Sequence, residues 1–311
     1  METATKLYLL SGFLGSGKTT LVKRLLEESG DARVGVIMNE FGKVGIDGPI
    51  LKSEGLELVE LNRGSVFCSC LKLSFVEALV TLSDRGLDYV VVESSGLADP
   101  SNIGEILELV GNFTTAGYDY CGSITLVDAE SFLRGVEELE TLSRQIECAD
   151  LTLINKTDLV DGATLAAVEE RVRAINGETR VLRSSYFQMP LDFWGTDLSG
   201  GRYPALKSSL NTPENKPKTI SLSYSGSVGR DALEAFLKEA ADSAFRIKGF
   251  VRMDGELTEV QAVGPRIDLH PTDRSLEAPT LVFISKIGPQ IIRAVDNAWK
   301  THVGLPMKLS N

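Results

Sequence analysis

The run "SGFLGSGKTT", residues 11–20, constrains this chain more than any other stretch. It places Gly12, Gly15 and Gly17 between the apolar "KLYLL" and the helical pattern "TTLVKRLLEES". A strand that empties into a glycine-rich turn and re-emerges as a helix opens a strand–helix–strand unit, and such units build parallel sheets. The spacing from Gly12 through Gly17, Lys18 and Thr19 is that of a phosphate-binding loop. Its glycines let successive backbone N–H groups converge on an anion, and the helix N-terminus adds partial positive charge. Lys18 is placed to bridge the β- and γ-phosphates of a nucleotide, and Thr19 to offer its hydroxyl oxygen to Mg²⁺. Gly15, Ser16 and Thr20 belong to the same cradle.

The following sequence agrees with that start. "RVGVIMNE", "DYVVVESSG", "GSITLVDA" and "LTLINKTD" are short, continuous apolar runs, the pattern of strands buried on both faces. Helical segments such as "SFVEALVTLSDR", "SNIGEILELV" and "TLSRQIECAD" alternate with them. The expectation is an α/β domain over residues 1–190. Residues 191–218, dense in Pro, Gly and Ser, read as a linker or surface excursion. Residues 219–311 read as a smaller α+β unit of order β-α-β-β-β-α. The formal net charge of −11 argues against a general nucleic-acid or anionic-membrane binder. No run reaches the roughly 20 apolar residues of a membrane span, and the start lacks the apolar core of a signal peptide. The expected location is cytoplasmic, with the four cysteines reduced.

Which nucleotide the loop takes is addressed by Asn155-Lys156-Thr157-Asp158, at the end of an apolar run. The Asp158 carboxylate can accept from guanine N1–H and the exocyclic amine, whereas adenine would leave it unpaired. The alkyl stem of Lys156 can cover the base. GTP is therefore the expected nucleotide. In "VVVESSGLADP", Glu93 ends another apolar run, where a carboxylate can hold Mg²⁺ or its waters; Gly96, three residues on, can offer its N–H to the γ-phosphate.

Together "GFLGSGKTTL", "NEFGKVGID", "ESSGLADP", "RQIECADLTLINKTDL", "RIKGFVRM" and "VQAVG" resemble the CobW/HypB/UreG family of P-loop GTPases, in its CobW-like branch. The resemblance implies a P-loop NTPase domain with a mainly parallel sheet and a ferredoxin-like C-terminal domain. It implies a GTPase that delivers a metal of the zinc or cobalt class to a client metalloprotein; turnover is expected to be slow without a partner, because no arginine finger in cis is identified. A corrinoid-type client protein and a nucleotide-dependent homodimer are further expected partners. The same resemblance makes "NEFGKVGID" the first switch segment, with Glu40, and less so Asp47, near Mg²⁺ or the attacking water. No arginine stands out as a finger in cis; Arg63 and Arg144 are weak candidates.

The family carries a glycine followed by C-x-C-C where this chain reads Gly64-Ser65-Val66-Phe67-Cys68-Ser69-Cys70. Only the third family cysteine is retained, as Cys68, and Cys70 adds a thiol two residues later. Residues at i and i+2 face opposite sides of a strand and lie about 200° apart on a helix, so both sulfurs can meet one ion only in a loop. Two thiolates there suit Zn²⁺ or Co²⁺ and leave a shell that Glu40, water, a second subunit or a client could complete. The competing reading is a pair of packed or redox-active thiols. Cys121 and Cys148 read as core residues, and His270 and His302 as local hydrogen-bonding partners. Two rivals to metal delivery stand: a GTPase assisting a corrinoid or other metallocofactor protein without carrying free metal, and a GTP-dependent regulatory switch.

Overall fold

A computed structural model describes residues 4–40, 56–62, 72–205, 210, 217–272 and 279–310. The chain divides into two compact units, Met1–Asn215 and Lys216–Asn311.

In the first unit the strands are β1 (Thr5–Gly12), β2 (Val34–Glu40), β3 (Leu56–Asn62), β4 (Tyr89–Glu93), β5 (Tyr118–Asp128), β6 (Leu151–Asn155) and β7 (Arg180–Arg183). The helices are α1 (Lys18–Glu28), α2 (Lys72–Ser83), α3 (Ile103–Gly111), α4 (Phe132–Glu138), α5 (Glu140–Glu147) and α6 (Gly162–Ile175). The sheet order is β3-β2-β4-β1-β5-β6-β7, with every pairing parallel. Alternation within an apolar run explains why both sheet faces are covered. Leu7 and Leu9 join a core with α2 and α3, whereas Tyr8 and Leu10 join one with α1. The chain first builds outward from β1 through β2 and β3, then turns back to the other side at β5. That reversal leaves a crevice at the carboxyl ends of the central strands, where ligands of such sheets bind. This is the P-loop NTPase fold.

Part of the segment expected as a linker or excursion is packed onto this unit. Phe193 is fully buried in the α1-side core, as is Phe187 just before the segment. The Trp194 ring lies 4.9 Å from that of Tyr8 and 4.5 Å from that of Tyr89. Lys6 Nζ donates to the Gly195 carbonyl at 2.6 Å, and Leu198 N–H to that of Cys121 at 2.8 Å. These bonds tie the segment, a strap, to residues near the N-terminal ends of β1 and β5.

The second unit comprises β8 (Thr219–Tyr224), α7 (Arg230–Asp242), β9 (Ala244–Met253), β10 (Glu256–Val263), β11 (Arg266–Pro271), β12 (Thr280–Ser285), α8 (Ile291–His302) and β13 (Met307–Ser310). Its sheet, ordered β11-β10-β9-β12-β8-β13, is antiparallel throughout. Without the β10–β11 hairpin, the order is the β-α-β-β-α-β of a ferredoxin-like sandwich. The alternating faces of β8, β9 and β12 put Leu222, Ile247, Val251, Leu281 and Phe283 against Phe236 of α7 and Trp299 of α8. The observed order adds two strands to the expected one. "ELTEVQAVGPRIDLHP" folds back at Gly264-Pro265 as a hairpin, and the closing β13 is too short to stand out in the sequence.

Candidate functional site

The crevice is lined from four strand ends. β1 ends in Gly12, β4 in Glu93, β5 in Asp128 and β6 in Asn155. Gly12, Gly15 and Gly17 all have positive φ, at 130°, 77° and 107°. A side chain at Gly12 would drive into the Leu126 carbonyl, and one at Gly17 would come within 2.8 Å of Asn155 Nδ2. The loop thus curls over the N-terminus of α1 in a form open to glycine.

Lys18 is buried at the first position of α1 and donates to the Gly12 and Phe13 carbonyls at 2.8 and 3.0 Å. Its ammonium is thereby held across the loop. One residue on, Thr19 Oγ1 donates to Glu93 Oε1 at 3.0 Å. A hydroxyl and a carboxylate side by side form the oxygen donor pair that a small hard cation accepts, so these residues fit Mg²⁺. Gly96 follows Glu93 and abuts the loop from the β4 side; a Cβ on it would sit 2.6 Å from Leu14 N.

The Asn155–Asp158 element joins the same site. Asn155 Nδ2 donates to the Ser16 carbonyl at 3.0 Å, bridging 139 residues of sequence. Two polar atoms beside that bond, Asn155 Oδ1 and Ser16 Oγ, are buried and lack a protein partner. Lys156 has φ 60°, and its ammonium pairs with Asp128 Oδ2 at 2.5 Å, at the end of the neighbouring strand. Asp158 Oδ1 accepts from Ser185 Oγ at 2.6 Å. Ser185 was not anticipated from the sequence. The available signal was the "SSYF" turn after β7, the strand next to the one that ends in Asn155. Phe187, two residues further, packs its ring under Gly17 and links that turn to the loop.

Thr20, on α1, is exposed and has no described contact to the crevice. Glu40 ends β2, but its side chain lies outside the described residues, as do Asp47, Arg63, Cys68 and Cys70. Arg144 is buried on α5 with acidic neighbours, Asp99 at 3.9 Å, Glu140 at 3.5 Å and Glu147 at 3.3 Å, an ion-pair role and not that of a finger at the phosphates. Cys121 and Cys148 are buried thiols outside any disulfide, and Cys121 Sγ donates to the Asp119 carbonyl at 3.5 Å. His302 pairs with Glu239 at 2.7 Å. Among the described residues no group of three or more His, Cys, Asp or Glu is placed to hold a metal ion.

Residues 6–183 match the CobW/HypB/UreG nucleotide-binding domain, and residues 218–297 the cobalamin synthesis protein cobW C-terminal domain. The chain therefore belongs to the CobW/HypB/UreG family. It is 31% identical over 196 residues to a protein of Sinorhizobium sp. named zinc chaperone CobW, covering 53% of this chain and 54% of that one. It thus spans about half the length of that relative. It is 29% identical over 266 residues to zinc chaperone YjiA of Escherichia coli K12, covering 80% and 82%. Among solved structures, the Zn(II)-bound YjiA GTPase from E. coli aligns over 96% of this chain and 99% of that one, at 23% identity and a TM-score of 0.48.

Proposed function

We propose that the first unit binds GTP with Mg²⁺ and hydrolyses it, and that the chain uses this cycle to deliver a zinc- or cobalt-class metal to a client protein. The observation that carries the nucleotide half is the Asn155–Ser16 bond, which joins the guanine-type element to the phosphate loop in one site. The metal half is supported by the family and by relatives named zinc chaperones.

In this reading the loop N–H groups and Lys18 bind the β- and γ-phosphates. Lys18 exchanges a carbonyl of Gly12 or Phe13 for a phosphoryl oxygen and stabilises charge where it develops. Thr19 and Glu93 hold Mg²⁺, which when bound neutralises the phosphate oxygens. Gly96 offers its N–H to the terminal phosphate, so its loop responds to hydrolysis. Glu40 acts near the attacking water. Asp158 reads guanine, held in place by Ser185 and assisted by Asn155 and Lys156. Turnover is slow until a client or second copy supplies what the site lacks.

Cys68 and Cys70 bind the travelling ion as substrate, in a shell left open for hand-over. The test of the nucleotide half is binding and turnover of GTP and ATP. Wild type should prefer GTP by at least about 100-fold, and Lys18→Ala should abolish turnover. Equal affinity for ATP would overturn the reading.

A further inference from the structure

Gln145 is 1% exposed, yet it bears a primary carboxamide in the middle of α5. Its Nε2 donates to the Ala98 carbonyl at 2.9 Å and lies 3.4 Å from that of Gly96. Its own main-chain carbonyl accepts from Thr125 Oγ1 at 2.9 Å. Thr125 Oγ1 in turn lies 2.7 Å from Ser11 Oγ, immediately before the phosphate loop. On its other side Gly96 presses against Leu14 of that loop. Arg144, the adjacent residue of α5, faces the fully buried Asp99 at the far end of the same segment. Residues 96–99 are therefore gripped from behind by one helix, and that helix is tied to the strand that feeds the cradle.

The chemistry of the grip is specific. An NH₂ group has two protons and serves two carbonyls two residues apart. The contact to Ala98 has ordinary hydrogen-bond length, whereas that to Gly96 is at the long limit. Ala98 is thus the more firmly held of the two carbonyls. In the proposed complex the Gly96 N–H serves the terminal phosphate, and the carboxamide acts on the same segment through its carbonyls.

We propose that Gln145 is a positioning residue for terminal-phosphate recognition: its carboxamide fixes the Gly96–Ala98 segment so that the site distinguishes GTP from GDP. This rests on the GTPase reading above. It assigns no contact between Gln145 and the nucleotide.

The test uses the full chain and three measurements: affinity for GDP, affinity for a non-hydrolysable GTP analogue, and kcat. Gln145→Met keeps the length and removes the donor. It should weaken the GTP analogue by about 10-fold or more and lower kcat by about 10- to 100-fold, with GDP affinity within about twofold of wild type. Gln145→Glu supplies a rescue that depends on pH. A protonated carboxyl can donate one O–H and a carboxylate none, so this variant should lose kcat as pH rises, departing from the wild-type profile. If the Met variant does not fold, the Glu profile decides. An unchanged ratio of GTP-analogue to GDP affinity in Gln145→Met, or a Gln145→Glu profile parallel to wild type, overturns the proposal. Wild type that binds no GTP would instead sink the nucleotide reading itself.

Discussion

At the residue scale, Asp158 and Asp150 show how the same side chain takes different tasks from its surroundings. Asp158 Oδ1 is held by the Ser185 hydroxyl, and in the proposed complex the carboxylate accepts from guanine. Asn at this position would present an N–H where guanine also has a donor, and would suit the C2 carbonyl of xanthine. Asp158→Asn should therefore weaken GTP binding by about 100-fold or more and improve XTP binding, read by competition against a labelled nucleotide. Parallel loss of both would mean that Asp158 does not read the base. Asp150 sits beyond α5, and burial raises its pKa from the usual carboxylate range to about 6, although the Ser123 N–H, donated at 2.8 Å, opposes the shift. A folded-state pKa above the unfolded one means that the native state holds the proton longer. This residue's contribution therefore becomes less favourable as pH rises from about 4 through 6. Asp150→Asn keeps an acceptor for Ser123 and removes the charge. It should stabilise the protein at pH 7 by about 1 kcal/mol once partial solvent access is allowed for, and give no gain near pH 4. Thermal unfolding at the two pH values measures the difference.

Elements differ in how much of them the local sequence announces. The phosphate loop was legible because its cause is contiguous: strand, glycines, lysine and helix all lie within β1 and α1. Asn155–Asp158 was legible for the same reason, as four adjacent residues after a strand. The partners that complete these motifs were not, because each arrives from far along the chain. Ser185 meets Asp158 across 27 residues, and Gln145 meets Ala98 across 47. The composition of the strap was misleading. Its Pro, Gly and Ser content is that of a loop, but Phe193 and Trp194 dock it, and no period marks them as inward-facing. Phe193→Ala should cost about 3–5 kcal/mol, the range for deleting a buried aromatic ring. A change under about 0.5 kcal/mol in denaturant unfolding would show that the strap is dispensable. The β10–β11 hairpin was similarly hidden, since Gly264-Pro265 interrupts a run in which residues on both sides favour strands.

For the whole molecule, two units with separate cores stand on one chain, and both match domains of the same family. Asp and Glu number 43 against 32 Lys and Arg, so a phosphate ligand depends on the local donors of the loop and Lys18. Among the described residues no helix is long and apolar enough to cross a membrane. In the proposed cycle nucleotide state and metal occupancy are linked in one protein. Binding energies linked in this way must act reciprocally, so GTP and GDP should change metal affinity by different factors. The most direct measurement is Co²⁺ titration of the reduced protein with Mg²⁺-GTP analogue, with Mg²⁺-GDP and with neither, beside a Cys68→Ser, Cys70→Ser double variant. Sulfur-to-cobalt charge-transfer absorption reports thiolate ligation. The wild type should show a band whose midpoint shifts between the two nucleotides, and the double variant should lack it. Equal, nucleotide-independent titrations of the two proteins would contradict the proposed cycle and leave a GTPase without a metal cargo.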